Sequence, residues 1–264
     1  MGMEPLTEDM LKQLPDLKII SRMGVGVDNV DVELLNKFGI RMGWTGGTNR
    51  HSVAELTICF AIAAMRHVGP LNHAMRMGER PHHRMGRQIG GRVFGLHGCG
   101  NVGKEVVKLL QPYGVQILAC DREDYSDFYG RFDNVEKVEP DELWARSDVL
   151  TIHLSKNAST ISLYTGGVLD KMKPGSILIN AARGNLVDED ALAARLKSGH
   201  IAGAGFDVFA VEPANGNPLI ALPNFFASPH IGATTVESWA AMLASGMHGI
   251  ENAYDPEPGV YPFD

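Results

Sequence analysis

Hydrophobic positions in the later two thirds of the chain fall into short runs of strand length. Between the runs are stretches where apolar residues recur every three or four positions. The runs are 93–97, 115–120, 148–153, 176–181, 201–206 and 225–228. Helix-like segments at 140–145, 166–172 and 188–197 separate the later ones, the last opening on acids and followed by Gly199. Strands that alternate with helices predict a parallel, doubly wound α/β sheet. Upstream the rhythm changes. Residues 17–23 and 40–44 read as strands with a helix at 32–38 between them, after a helix near 7–14. A long apolar helix follows at 52–65, then a glycine- and arginine-rich loop at 78–91. A final helix at 234–253 is expected to cross back. The pattern predicts two domains. Residues 1–66 with 235–264 form a smaller αβ unit, and residues 67–234 form the doubly wound one.

The run 93–97 leads directly into Gly98-Cys99-Gly100-Asn101-Val102-Gly103, a G-x-G-x-x-G loop. Val102, Val106, Leu109 and Leu110 then repeat at helical spacing, and the next strand ends on Asp121, 18 residues after Gly103. Strand, glycine loop, helix and second strand with a terminal acid make up a complete dinucleotide-binding unit. Gly98 permits the tight turn, Gly100 admits a pyrophosphate to the backbone, and Gly103 lets helix and sheet approach. The free N–H groups at the helix start favour an anion. A carboxylate at 121 can accept from the adenine-ribose hydroxyls, which favours NAD over NADP.

Composition narrows this reading without changing it. The chain has 264 residues, 44% hydrophobic and 21% charged, within the usual range for a globular enzyme. A formal net charge of −7 argues against a nucleic-acid binder. No uninterrupted apolar stretch reaches membrane-spanning length, and no signal peptide opens the chain, so the cytoplasm is expected. Cys59, Cys99 and Cys120 have no metal spacing, and His67, His73, His82 and His83 match no zinc pattern. No metal is expected.

Ligands of open α/β sheets sit beyond the carboxyl ends of the strands. His153 closes one run, Arg183 follows another, Asp207 follows a third, and His230 lies just past the last, with Glu212 in the loop after Asp207. A cation, acids and two histidines thus converge on the rim where a nicotinamide would lie.

These segments resemble the D-isomer-specific 2-hydroxyacid dehydrogenase family. The likeness rests on Arg22-Met23-Gly24-Val25-Gly26-Val27-Asp28-Asn29, on Asn49 with Ser52-Val53-Ala54-Glu55, and on the glycine loop. It continues through Asn180-Ala181-Ala182-Arg183-Gly184, Gly205-Phe206-Asp207-Val208 with Glu212-Pro213, and Ser228-Pro229-His230-Ile231-Gly232. The wording of the first and last segments leans toward the phosphoglycerate dehydrogenase-like branch, and glutamate at 212 speaks against the formate dehydrogenase branch. The resemblance implies a Rossmann domain with a flavodoxin-like second domain. It implies an NAD-dependent oxidoreductase acting on a small D-2-hydroxy acid and its 2-keto acid, with Arg183, Glu212 and His230 catalytic. Gly98, Gly100, Asn101, Val102, Gly103, Asp121, His153, Ala181, Arg183, Asp207 and His230 would hold NAD. Gly24, Val25 and Gly26, with Arg183 and His230, would hold the substrate.

The chemistry agrees with that assignment. Oxidising a 2-hydroxy acid needs a base for the hydroxyl proton, and an imidazole titrates near neutral pH. A carboxylate beside it would orient the ring and stabilise the imidazolium. An arginine can clamp the substrate carboxylate. The family's opening strands and helices have no counterpart here; residues 1–3 read as the end of a third strand. The smaller domain is therefore expected to expose an unpaired edge and an apolar face, and to seek burial in a homodimer near the 52–65 helix and residues 69–92. The alternative is an NAD(H)-binding regulator or a catalytically weak remnant.

Overall fold

The computed structural model describes residues 6–79 and 85–263. Residues 1–3 and the histidines at 82 and 83 lie outside the described residues. In chain order the elements begin with α1 (Glu8–Lys12), β1 (Ile19–Ser21), α2 (Val32–Lys37), β2 (Arg41–Gly43), α3 (Arg50–Met65) and α4 (Val68–Arg76). Then come β3 (Val93–His97), α5 (Asn101–Leu110), β4 (Gln116–Cys120), α6 (Ser126–Tyr129), β5 (Val135–Lys137), α7 (Pro140–Arg146) and β6 (Val149–Ile152). The rest are α8 (Gly166–Lys171), β7 (Ser176–Asn180), α9 (Glu189–Ser198), β8 (Ile201–Phe206), β9 (Phe225–Ala227) and α10 (Val236–Glu251).

The chain divides into two compact units, Met1–Ser52 with Ala233–Asp264, and Val53–Gly232. The larger holds a seven-stranded sheet ordered β5-β4-β3-β6-β7-β8-β9, with every pair parallel. The continuous apolar runs follow from burial on both faces. Leu118, Leu150, Ile152 and Leu178 point into one core, where α7, α8 and α9 contribute Leu143, Leu169 and Leu192. Ile117, Val149, Ile177 and Ile179 point into the other, against Val106 and Leu110 of α5 and Ala54, Ile58, Phe60 and Met65 of α3. By this packing α3 joins the larger unit from Val53 onward, although the hydrophobic rhythm grouped it with the smaller one.

Strand order reverses between β3 and β6, and a crevice for a ligand opens at such a switch point, beyond the carboxyl ends of the strands. The smaller unit has only β1 and β2, paired parallel with Ile19 opposite Arg41 and Ser21 opposite Gly43. Among the described residues β1 has no other partner, while Met42 of β2 also exchanges backbone hydrogen bonds with Tyr254. Leu11, Leu35, Ile40 and Met42 form the buried centre of this unit.

Local signals set the helix ends. Asp31, Thr165, Asp188 and Thr235 each accept a backbone N–H at a helix start, and Gly199 closes α9 in the left-handed conformation. The sequence pattern did not show α4, α6 or β5. Among the described residues no single helix is long and apolar enough to cross a membrane.

Candidate active site

The larger unit builds its site at the carboxyl edge of the sheet. Gly98 leaves β3 at φ +97, and a Cβ there would lie 2.6 Å from the carbonyl oxygen of His153 at the end of β6. A Cβ at Gly103 would lie 2.4 Å from the carbonyl oxygen of Gly98, so loop and helix close on each other only with glycine. Gly100, the N-cap of α5, has open space where a side chain would be, and no side chain caps the helix. Asn101 and Val102 form its first turn. First-turn amides have no acceptor within their own helix, which fits a pyrophosphate at a helix start. Asp121 follows β4 directly. Its carboxylate accepts from the Cys99 N–H and, at 2.9 Å, from the Glu123 N–H. Two carboxylate oxygens offer about four acceptor sites, so capacity remains for ribose hydroxyls. The glycine loop and its acid fit a dinucleotide.

His97 and His153 end neighbouring strands. The His97 Nδ1 lies 2.8 Å from the Tyr164 hydroxyl, and burial pushes its pKa down to about 4. His153 donates its N–H to the His97 carbonyl at 2.7 Å, and burial also holds its ring down to about 4. Both rings are neutral near pH 7. Cys99 lies in the loop itself, but burial raises its thiol to about 11. It is therefore a packing residue at neutral pH.

Ala181 is the first residue past β7, and Arg183 sits two further on. The Asn180 side chain braces that turn, accepting from Ala182 N–H at 3.1 Å and donating to the Arg183 carbonyl at 2.9 Å. The Arg183 guanidinium donates to the Ala182 carbonyl at 2.7 Å. A Cβ on Gly184 would lie 1.8 Å from the Phe209 carbonyl oxygen, so the loop carrying Arg183 packs on the loop leading to Glu212.

Glu212 divides its carboxylate between two partners. Oε1 accepts the Phe209 N–H at 3.0 Å, and Oε2 lies 2.8 Å from Nδ1 of His230. Both side chains are partly open to solvent, 40% for His230 and 35% for Glu212. His230 itself adopts a left-handed backbone, φ 56, held by its N–H donating to the Asp207 carbonyl at 2.8 Å. The buried Asp207 carboxylate accepts from the Ser228 hydroxyl and, at 2.7 Å each, from the Ile231 and Gly232 N–H groups. Asp207 therefore folds the turn that presents His230. The sequence reading missed this role, and its only signal was an acid at a strand end facing a Ser-Pro-His-Ile-Gly turn.

In the smaller unit, Gly24, Val25 and Gly26 form a bend just past β1, with Gly24 at φ +127. Among the described residues no group of histidine, cysteine and carboxylate side chains is placed to hold a metal.

A parallel seven-stranded sheet with a glycine loop at its switch point and a histidine–carboxylate pair on its rim defines a Rossmann-type dehydrogenase fold. Residues 58–232 match the D-isomer specific 2-hydroxyacid dehydrogenase, NAD binding domain, and the chain belongs to that family. The cofactor of this domain is NAD, which the glycine loop and Asp121 fit. The chain is 37% identical over 232 residues to D-3-phosphoglycerate dehydrogenase of Mycobacterium leprae, which covers 87% of this chain and 44% of that protein. It is 36% identical over 238 residues to hydroxypyruvate reductase of Thermotoga maritima, covering 88% and 76%. A glyoxylate reductase from Paecilomyes thermophila matches in structure with a TM-score of 0.83 at 32% identity, over 90% of this chain and 72% of that one. The chain spans less than half the length of the mycobacterial phosphoglycerate dehydrogenases it matches.

Proposed function

We propose that the protein transfers a hydride between NAD and a small D-2-hydroxy acid or its 2-keto acid partner. The observation that carries this reading is the His230–Glu212 pair, with Nδ1 and Oε2 2.8 Å apart and the second carboxylate oxygen tied to the backbone. Such a ring is held in one orientation and leaves Nε2 to meet substrate. In the oxidative direction Nε2 takes the hydroxyl proton as the C–O bond becomes a carbonyl; in the reductive direction it returns that proton. NAD, held at the glycine loop, would supply the acceptor for the hydride leaving C2, or its donor in reverse. Arg183, on its braced turn, clamps the substrate carboxylate and offsets the negative charge that develops on the oxygen. In the smaller unit, the Gly24-Val25-Gly26 bend is read as offering backbone N–H groups to a carboxylate. Asp207 keeps acceptor capacity for the nicotinamide amide while it holds the His230 turn.

The matched relatives include enzymes named for phosphoglycerate, hydroxypyruvate and glyoxylate, so the test is a panel of small 2-keto acids. Oxidation of NADH is followed by absorbance, with His230→Ala as the control. Turnover lost in the control supports the dehydrogenase. NADH binding without turnover on any acid overturns it in favour of an NAD(H)-binding regulator.

A homodimer belongs to the same reading. The α4 helix buries none of its residues, and Val68 and Met75 on it and Met77 just after it are exposed. Exposed apolar residues on one helix and its end suit a subunit contact. Light scattering that finds a monomer at micromolar concentration would refute it. The three free cysteines suit a reducing compartment such as the cytoplasm.

A further inference from the structure

Both strands of the smaller unit end at the same edge, with Ser21 opposite Gly43. The Arg22 N–H donates to the Gly43 carbonyl at 2.9 Å, so the chain leaving β1 stays beside the chain leaving β2. The residue after β2 is Trp44, and its Nε1–H donates to the Val25 carbonyl at 3.0 Å. Val25 is the middle of the Gly24-Val25-Gly26 bend.

That hydrogen bond controls more than one carbonyl. A trans peptide is planar, and its C=O and N–H point in opposite directions. Fixing the Val25 carbonyl toward the indole therefore fixes the Gly26 N–H away from it. Gly26, one of the two residues about which this peptide turns, would otherwise let it rotate at little cost. The indole is itself well seated. It is half-buried and packs on the cluster around Leu35 and Met42. The Tyr261 ring meets it edge-on, with centroids 5.4 Å apart and planes at 72°. At Gly46 a Cβ would lie 2.8 Å from Cη2 of the indole and 3.0 Å from the Tyr261 hydroxyl, so the ring has little room to swing.

We propose that Trp44 is a positioning residue that sets the direction of the Gly26 N–H through the Val25 carbonyl, with Tyr261 steadying the indole. Its effect on substrate rests on the reading of this bend as the carboxylate subsite; the anchoring itself does not. The C-terminal segment thereby reaches the bend through two rings.

The test uses Trp44→Phe, which keeps an aromatic ring and removes only the donor. Hydrogen–deuterium exchange on the full chain is expected to quicken about fivefold across residues 24–27, the worth of one ordinary hydrogen bond. Exchange in β1, β2 and α2 should stay at the wild-type rate. Tyr261→Leu should quicken the same residues by less. Unchanged exchange in the bend would overturn the proposal. So would an equal rise throughout the smaller unit, which would make Trp44 a core residue only. Kinetics separate this inference from the reading beneath it. If the bend binds carboxylate, Trp44→Phe raises KM for the keto acid about fivefold, with kcat and NADH affinity unmoved. Faster exchange with no change in KM leaves the anchoring intact and refutes the carboxylate reading alone.

Discussion

The two sheets are built on the same parallel principle and reach very different degrees of self-sufficiency. The seven-stranded sheet has a core on each face, and residues such as Phe94, Leu118, Leu150 and Leu178 are wholly buried. Among the described residues, the two-stranded sheet has four residues at its buried centre and one strand with a single partner. On α10 the inner residues Met242 and Gly249 are buried, while Val236, Trp239, Leu243, Met247 and Ile250 recur along an exposed stripe. Parallel strands are ordinarily covered on both faces. The larger unit meets that requirement internally, and its rim can therefore hold side chains to fixed hydrogen bonds. The smaller unit positions backbone groups with fewer contacts, which leaves Trp44 with a larger share of the work.

Four experiments sharpen or break that contrast. The largest effect is on the rim. His230→Ala and Arg183→Ala should each lower turnover by about 10²- to 10⁴-fold, with NADH affinity of the His230 variant near wild type. Wild-type turnover in either variant would remove that residue from the mechanism.

Core substitutions come next. Leu150→Ala should cost the larger unit about 2–5 kcal/mol, and Leu35→Ala should do the same to the smaller one. If the units are separately cohesive, urea titration will show each variant moving its own transition. A common shift of both transitions would show that they unfold together.

The acid limb tests the larger core alone. Burial holds His97 at about 4 against an ordinary 6.5. Above pH 6.5 both folded and unfolded chains carry the ring neutral. As the pH falls from 6.5 toward 4, the unfolded chain binds a proton that the folded chain does not, so stability falls. The loss from this ring approaches about 3 kcal/mol at pH 4. His97→Gln should flatten that part of the stability–pH curve, and an unaltered slope would show that the ring does not control it.

Helix caps give the smallest effect. Asp188→Ala at α9 and Thr235→Ala at α10 each remove one cap, worth about 1 kcal/mol. Thermal unfolding should register the first in the larger unit and the second in the smaller.

Legibility in the sequence followed the same contrast. The strands of the larger unit were readable because burial on both faces makes them uniformly apolar, and because glycines and acids mark their ends. The glycine loop and Asp121 were legible from their spacing after a strand. Glu212 and His230 were singled out by their places past strand ends and, as catalytic residues, by the family resemblance; the structure brings that pair within 2.8 Å. The edge strand β5 was not, since Val135, Glu136 and Lys137 carry no apolar run. Nor was α4, because Gly69 and Pro70 read as a stop, although proline is tolerated in the first turn of a helix. Asp207 was recognised as an acid at a strand end, but its hold on residues 228–232 depends on contacts that no spacing reveals. Trp44 read as the end of a strand, because a hydrogen bond across 19 residues leaves no periodic trace.

The divided carboxylate of Glu212 has one more consequence, for the tautomer of the histidine. Its two oxygens both act as acceptors, one for a backbone N–H and one for Nδ1 of His230. A glutamine there has a single acceptor oxygen and an NH₂ group. If the oxygen stays with Phe209, the NH₂ faces Nδ1, which must then carry the lone pair, and the proton moves to Nε2. An imidazolium would meet donor against donor. The ring would remain neutral, able to hydrogen-bond to a carbonyl yet unable to exchange a proton with it. On the proposed reading, glutamate at 212 keeps a proton-moving reaction within reach, whereas a glutamine in that arrangement would leave Nε2 a hydrogen-bond donor alone.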